Sequence, residues 1–220
     1  MNVIAISNSL YHSTGLLSKL GFDYILRKED LTEKYLRERR PDYVFFPHWS
    51  YLIRPEIYEN FNCVIFHMTD LPFGRGGSPL QNLIQRGIGK TKISAIRCVK
   101  QVDGGDVYLK RDFDISDGSA AEIYSRAGEV ISSMIDEIVE KRPAPVPQQG
   151  EVVEFKRRTP DQSDMSGVVG LIGAYNHIRM LDAVGYPKAF LEEGELRYEF
   201  SNAVFEHGKL TASVEILRRN

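Results

Sequence analysis

His67 occupies a position in this sequence at which α/β proteins often place their chemistry. The residues before it, 63–66, form an apolar run that is too short for a helix and predicts a buried strand. Directly after it, the proline and glycines of residues 72–77 interrupt regular structure. Because open α/β sheets bind their ligands at the carboxyl ends of strands, the pattern predicts a functional histidine beside a glycine loop.

A helix is predicted to begin immediately after this loop. Ser78 suits the N-cap position, Pro79 suits the first helical position, and Gln81 would close a capping box with Ser78. The N-terminus of a helix favours negative charge, such as a phosphate or a developing oxyanion. The segment therefore predicts a histidine and an anion-binding helix end in one place.

Two more predicted strands end close to residues that could do chemistry. The run 42–46 leads into an aromatic loop, Trp49–Ile53, which either forms a wall for a flat heterocycle or simply covers the sheet. The run 92–99 leads into a glycine turn that carries Asp103. In a parallel arrangement these strand ends share one edge of the sheet with His67. A histidine near a carboxylate suits general acid/base work near neutral pH.

Several other chemistries lack their sequence motifs. The chain has no Gly-x-Gly-x-x-Gly loop, no P-loop, no Gly-x-Ser-x-Gly elbow and no His/Cys pair at metal-ligand spacing, so we expect no bound metal. Cys63 and Cys98 lie in apolar runs and predict reduced core thiols in a cytoplasmic protein. No apolar run approaches the roughly 20 residues that span a bilayer, so we expect no membrane partner. A formal net charge of −2 argues against a dedicated nucleic-acid binder.

The order of the predicted elements indicates an α/β fold. Strands and helices alternate through residue 140, which predicts a parallel or mixed sheet with helices on both faces. A Pro-rich segment, 143–150, then separates a catalytic core, 1–142, from a small helix and strand subdomain, 151–220. The short strands predicted after residue 195 would either extend the same chain's sheet or pair across a homodimer.

Two segments resemble the folate-dependent formyltransferase family. The sequence His67-Met-Thr-Asp-Leu-Pro-Phe-Gly-Arg-Gly-Gly-Ser-Pro79 is similar to the family's His-Pro-Ser-Leu-Leu-Pro-x-Tyr-Arg-Gly-x-x-Pro, and Asp103-Gly-Gly-Asp106 is similar to its Asp-x-Gly-Asp. A looser match consists of Arg158-Thr-Pro160, Tyr175-Asn176-His177-Ile-Arg179 and Tyr186-Pro187-Lys-Ala-Phe190, which resemble the tail of sugar formyltransferases. The resemblance implies a Rossmann-like formyltransferase core with a mixed, mostly parallel sheet and a small C-terminal α+β extension.

The resemblance also implies a reaction and its residues. The donor would be 10-formyltetrahydrofolate and the acceptor a primary amine. His67 would stabilise the tetrahedral oxyanion and take part in proton transfer, and Asp103 would orient it and help to remove the amine proton. The family's third catalytic residue, an Asn two positions before the histidine, is Ile65 here. The residues expected to hold the pterin are Trp49, Ser50, Tyr51, Leu52, Ile53 and Val102.

The acceptor is inferred by elimination and from the tail. Residues 7–15 lack the phosphate loop of a glycinamide ribonucleotide enzyme, and only residues 151–220 follow the linker, without a basic surplus for a tRNA backbone. We therefore expect a small amino-sugar acceptor, nucleotide-linked or nonulosonic, and no nucleic acid. Two alternatives remain open: a non-catalytic folate-pocket binding module, and formylation of a carrier-bound aminoacyl group. The expected acceptor contacts are Phe73, Arg75, Gly76, Gln81 and Asn176.

Overall fold

The computed structural model of the chain describes residues 1–7 and 15–219, so most of the polar loop 7–15 lies outside the described residues. The strands are β1 Asn2–Ile6, β2 Phe22–Ile25, β3 Val44–His48, β4 Cys63–His67, β5 Phe73–Gly76, β6 Lys90–Arg97, β7 Val107–Asp114, β8 Val153–Phe155, β9 Ala189–Glu193, β10 Leu196–Glu206 and β11 Lys209–Arg218. The α-helices are α1 Glu33–Arg39, α2 Pro55–Tyr58, α3 Pro79–Gln85, α4 Ala120–Lys141 and α5 Leu171–Arg179.

The main sheet has the strand order β2-β1-β3-β4-β6-β7. Strands β2, β1, β3 and β4 are parallel, whereas β6 is antiparallel to β4. Every residue of β1 is buried, as expected for an apolar strand covered on both faces. The predicted mixed, mostly parallel sheet is confirmed, and the chain carries a C-terminal β extension.

Helix α4 follows the apolar period that the sequence predicts. Its buried residues repeat every three to four positions, which places them on one side of the helix: Ile123, Ala127, Ile131, Met134, Ile135 and Ile138. Ser119 and Glu122 form a capping box at its start, because the Ser119 amide donates to Glu122 Oε2 at 2.8 Å and the Glu122 amide donates to Ser119 Oγ at 3.3 Å.

The described residues group into two compact units. Unit 1 consists of residues 1–76, 91–113 and 124–154 and contains most of the main sheet. Unit 2 consists of residues 77–90, 114–123 and 155–220. The division into 1–142, 143–150 and 151–220 stays a prediction. No helix among the described residues is long and apolar enough to cross a membrane.

Unit 2 contains a three-stranded sheet, β11-β10-β9, against which α5 packs. The rings of Tyr175 on α5 and Phe205 on β10 lie 6.1 Å apart. Two sequence expectations are wrong here. The sequence pattern predicts a helix over residues 165–184, but α5 begins only after Gly170, which has a φ of 75° that helical residues do not adopt. The sequence pattern also predicts two strands, 196–200 and 202–206, but they form the single strand β10 with a register shift, because a φ of 52° at Asn202 bends the strand without ending it.

Candidate functional site

The aromatic loop and His67 begin at the same edge of the main sheet. Strands β3 and β4 are parallel, and Phe46 pairs with Ile65, so the carboxyl ends of the two strands are neighbours. The loop Trp49–Ile53 follows the first strand end, and His67 is the last residue of the second. Both lie in unit 1. Open α/β sheets bind ligands at this kind of edge, at the carboxyl ends of their strands.

His67 is held by hydrogen bonding at one ring nitrogen and faces a carboxylate with the other. The side chain is buried, with the residue 8% exposed. Its Nε2 lies 2.7 Å from the Gly74 carbonyl oxygen. Because a carbonyl only accepts, Nε2 carries a proton. Its Nδ1 lies 3.6 Å from Asp103 Oδ2. In the neutral ring Nδ1 therefore carries the lone pair and is the nitrogen that can accept a proton.

Asp103 reaches His67 by a route that the sequence did not predict. Strand β6 runs antiparallel to β4, so the predicted shared parallel edge is wrong for this strand. The carboxylate arrives from the turn between β6 and β7 instead. The Gly76 amide donates to Asp103 Oδ2 at 2.8 Å and fixes it there. Gly105 makes the turn possible, because a Cβ on it would lie 1.8 Å from the Arg97 carbonyl oxygen.

Sequence reasoning missed Gln148, which joins two of the predicted site residues. Its Oε1 accepts from Arg75 Nε at 3.1 Å and from Arg75 Nη2 at 2.7 Å. Its Nε2 donates to the carbonyl oxygens of Asp103 and Gly105, each at 2.8 Å. No sequence signal separates Gln148 from its neighbour Gln149, since both follow Pro147 in a segment that predicts only a linker.

The aromatic loop both covers the core and offers a free surface. The Trp49 ring lies 5.9 Å from the Phe46 ring and 5.5 Å from the Tyr51 ring, and Ile53 packs on the same core as Trp49. Within the described residues, the buried Trp49 Nε1 has no hydrogen-bond partner. Leu52 is 85% exposed. An indole donor beside exposed apolar side chains suits a flat heterocycle.

Ser50 and Val102 are the other two residues predicted to hold the pterin. The Ser50 amide donates to Ser7 Oγ at 2.9 Å, which ties the loop to the end of β1. Val102, one residue before Asp103 in the β6–β7 turn, is 59% exposed. Its exposed apolar side chain is available to contact a ligand in unit 1.

Three predicted acceptor contacts, Phe73, Arg75 and Gly76, lie on β5 in unit 1. The other two, Gln81 and Asn176, lie in unit 2 and form hydrogen bonds there. Gln81 is 2% exposed, and its Nε2 donates to the Met180 carbonyl at 3.1 Å. Asn176 Oδ1 accepts from Arg179 Nε at 2.8 Å. The structure therefore does not support Gln81 as an acceptor contact, because no surface of it is left for a ligand.

The predicted capping box at the start of α3 is also wrong. Ser78 has a φ of 50° and makes no side-chain cap. Its hydroxyl accepts from the Arg158 amide at 3.1 Å instead. The side-chain nitrogen of Asn82, Nδ2, lies 3.0 Å from each of three carbonyl oxygens and donates to them. The side chains at this helix start therefore stabilise unit 2 rather than await a ligand.

Ile65 stands on the same face of β4 as His67, because alternate residues of a strand share a face. It is partly buried and packs against two clusters of the core. Position 65 therefore supplies no hydrogen-bond donor on the histidine's side of the strand.

The two thiols of the chain lie deep in unit 1. Both are buried, and burial raises the pKa of Cys63 and raises that of Cys98 to about 12. Since the thiolate is the nucleophile, neither side chain is suited to covalent catalysis. Among the described residues, no group of three or more His, Cys, Asp or Glu side chains is placed to hold a metal ion.

A strand-end histidine beside a fixed carboxylate on a mixed α/β sheet defines a site for acid/base chemistry. Comparisons with known proteins indicate the family. A family model described as methionyl-tRNA formyltransferase, C-terminal domain, matches residues 160–217. The methionyl-tRNA formyltransferase of Mesoplasma florum is 31% identical over 139 residues, which are 60% of this chain and 44% of that protein. The chain spans about half the length of the curated relatives it matches.

Solved structures extend the match to the whole chain. A methionyl-tRNA formyltransferase from Clostridium thermocellum superposes with a TM-score of 0.94 at 48% identity, over 100% of both chains. A sugar N-formyltransferase from a Shewanella species has a TM-score of 0.64 at 13% identity, over 96% of this chain and 95% of that one, which shows the fold alone. The chain belongs to the folate-dependent formyltransferase family, whose members use 10-formyltetrahydrofolate.

Two predictions about the partner are wrong. The amino-sugar acceptor rested on elimination and on the tail, but most of that tail lies within residues 160–217, which match the methionyl-tRNA formyltransferase model. The prediction that no nucleic acid takes part is contradicted by relatives that are named for a tRNA substrate. Net charge is a poor guide to a nucleic-acid partner because it averages over the whole surface, whereas a phosphate backbone is bound by local groups of cations.

Proposed function

We propose that this chain transfers the formyl group of 10-formyltetrahydrofolate to the amino group of methionine carried on tRNA. The observation that carries the proposal is the 48% identity to a methionyl-tRNA formyltransferase over the full length of both chains. This acceptor corresponds to the alternative of a carrier-bound aminoacyl group that the sequence left open. The predicted cytoplasmic location is part of the same proposal.

The His67–Asp103 pair would handle the proton. The new bond joins the formyl carbon to the amine nitrogen, the bond to the folate nitrogen breaks, and one amine proton ends on that folate nitrogen. Because Nε2 donates to the Gly74 carbonyl, His67 Nδ1 would be the atom that takes the amine proton. The protonated ring would then form an ion pair with Asp103, whose Oδ2 is already 3.6 Å away. This is general base catalysis by a positioned histidine.

The donor surface in the proposal consists of residues in unit 1. The side chains that fit the heterocycle of a folate combine ring faces, exposed apolar groups and one buried N–H donor: Trp49, Ser50, Tyr51, Leu52, Ile53 and Val102. On β5, Phe73, Arg75 and Gly76 follow His67 closely in the chain and are the proposed acceptor contacts.

Unit 2 contains a basic cluster that suits an RNA backbone. We define the α3 basic cluster as Arg86, Lys156, Arg157 and Arg158. The Arg86 guanidinium lies 4.4 Å from the centre of the Phe155 ring, and Arg158 Nη1 donates to Gln85 Oε1 at 2.5 Å. Among the described residues, none of these four cations forms an ion pair. Cations without a carboxylate partner can neutralise phosphates.

The experiment is a formylation assay with 10-formyltetrahydrofolate labelled in the formyl group. The acceptors are methionyl-tRNA, uncharged tRNA and free methionine. The proposal predicts that label appears on methionyl-tRNA and not on uncharged tRNA. It also predicts faster transfer to methionyl-tRNA than to free methionine, because the tRNA supplies binding energy. Binding of the donor without transfer to methionyl-tRNA would overturn the proposal.

A further inference from the structure

The Pro-rich segment 143–150 passes the candidate site as an anchored strap. On one side of Gln148, Val146 and Val107 exchange backbone hydrogen bonds of 2.9 and 2.7 Å. On the other side, the Val153 amide donates to the Pro72 carbonyl at 3.3 Å, and β8 pairs with β5. The chain on both sides of Gln148 is thus fixed by backbone hydrogen bonds, to β7 on one side and to the residue before β5 on the other.

Gln148 uses its whole amide inside the site. Its oxygen accepts two hydrogen bonds from Arg75, and its nitrogen donates one to each of the Asp103 and Gly105 carbonyls. The residue that it holds on one side, Arg75, is 9% exposed and has no ion pair among the described residues. The residue that it holds on the other side, Asp103, carries the carboxylate that faces His67.

We propose that Gln148 is a positioning residue that fixes the Asp103 turn beside His67 and the Arg75 guanidinium on β5 as one rigid group. The inference rests on the proposed function and deepens it, because it assigns the two halves of one amide to two parts of the reaction. The nitrogen, through Asp103, serves the transfer step. The oxygen, through Arg75, serves the binding of the acceptor.

Two substitutions separate the halves of the amide. Gln148→Met keeps the length of the side chain and removes all four hydrogen bonds. Gln148→Glu keeps an acceptor for Arg75 but removes the donors to the two carbonyls. We expect both variants to lower kcat about tenfold to a hundredfold, since a shift of about 1 Å in a catalytic group costs that much. We expect KM for methionyl-tRNA to rise several-fold only in Gln148→Met.

The neighbouring Gln149→Ala is the matched control, because Gln149 is exposed and lies one residue away. It should leave both kinetic constants unchanged. A purely structural role of Gln148 predicts equal effects of the Met and Glu variants on kcat and KM, in proportion to their loss of thermal stability. That result would overturn the proposal.

An NMR measurement that needs no formyl transfer tests the inference independently of the proposed function. The imidazole 1H–15N resonances of His67, recorded on the full chain, report the position of the Asp103 carboxylate. They should move in Gln148→Met and Gln148→Glu and stay in place in Gln149→Ala. Unchanged resonances in both Gln148 variants would overturn the inference. Failure of the wild-type chain to formylate methionyl-tRNA would overturn the proposed function instead.

Discussion

Individual residues define the site through close approaches of the backbone. The turn 103–106 folds back so tightly that Gly105 has no room for a side chain, since an added Cβ would lie 1.8 Å from the Arg97 carbonyl oxygen. At Gly104 the atoms nearest to an added Cβ would belong to the Gln101 side chain, at 2.7 Å. The two adjacent glycines therefore have different physical roles.

We predict that Gly105→Ala lowers formyl transfer at least about tenfold, because the turn must open and move the Asp103 carboxylate. Gly104→Ala is the control, and its effect should be small because the flexible end of Gln101 can move aside. Steady-state kinetics and thermal unfolding of both variants make the comparison. Equal loss of activity in the two variants would contradict the assignment.

Among single residues, the sequence predicts those site residues that belong to a motif or lie at the end of a strand. His67 and Asp103 were identified by position and by resemblance, and the structure brings them together. Gln148 was not found, because its role depends on hydrogen bonds to groups 43 to 73 residues away in the chain. A lone amide in a Pro-rich segment has no local pattern that reports such partners.

The elements explain how position 65 relates to the reaction. Strand β4 presents Ile65 and His67 on one face, where the family resemblance expects an Asn and a His. An Asn at this position would offer an amide donor to the developing oxyanion. Removing one such donor in other enzymes costs about 10²–10³ in kcat.

We predict that Ile65→Asn raises kcat at least about tenfold, by adding that donor. Its thermal stability should fall, because Ile65 packs against the core. Ile65→Val is the control, since it makes a small cavity without adding an amide. A folded Ile65→Asn variant with an unchanged or lower kcat would show that the chain does not need this donor.

Helix α5 contains a buried histidine with a pH-dependent effect on stability. Burial lowers the pKa of His177 below its usual value of 6.5, and its Nε2 donates to the Ser163 carbonyl at 3.1 Å. The unfolded chain therefore binds a proton more readily than the folded chain. Stability from this group is present above about pH 6.5 and is lost as the pH falls toward the lowered pKa.

We predict that the melting temperature of the wild type falls between pH 7 and pH 5, and that His177→Gln reduces the slope. His207→Gln is the control, because it removes a histidine that is exposed to solvent. Thermal unfolding at a series of pH values measures both. Equal slopes for wild type and His177→Gln would contradict the assignment to His177.

Some of the strands and helices could be predicted from the sequence, and others could not. Apolar runs and periodicity predicted β4 and α4 well, because buried faces impose a local pattern. The direction of β6 was wrong, since an apolar strand reads the same in either direction. The start of α5 was predicted too early, because Gly167 and Gly170 interrupt a pattern whose apolar period continues.

The whole molecule has little net charge but an uneven distribution of it. The formal net charge is −2, yet the α3 basic cluster in unit 2 has no ion pairs among the described residues. Average charge therefore says little about a partner that needs only a few phosphate contacts. The salt dependence of binding counts such contacts directly.

We predict that the double variant Lys156→Gln, Arg157→Gln binds methionyl-tRNA more weakly and with a smaller dependence on salt. The slope of log affinity against log salt should decrease by about 0.7–0.9 for each lost phosphate contact. Lys188 and Lys141 are paired with Glu215 and Glu137, so their double replacement by Gln is the control. An unchanged slope in the first variant would exclude the α3 basic cluster from tRNA binding.

The most direct test of the account measures the single-turnover rate of formyl transfer to methionyl-tRNA at saturating donor. We compare the wild type with His67→Gln and Asp103→Asn, and measure binding of donor and tRNA in parallel. The account predicts transfer by the wild type and rates about 10²–10⁴ lower in each variant, with both binding constants little changed. Full rate in either variant, or a wild type that binds donor and tRNA without transfer, would contradict it.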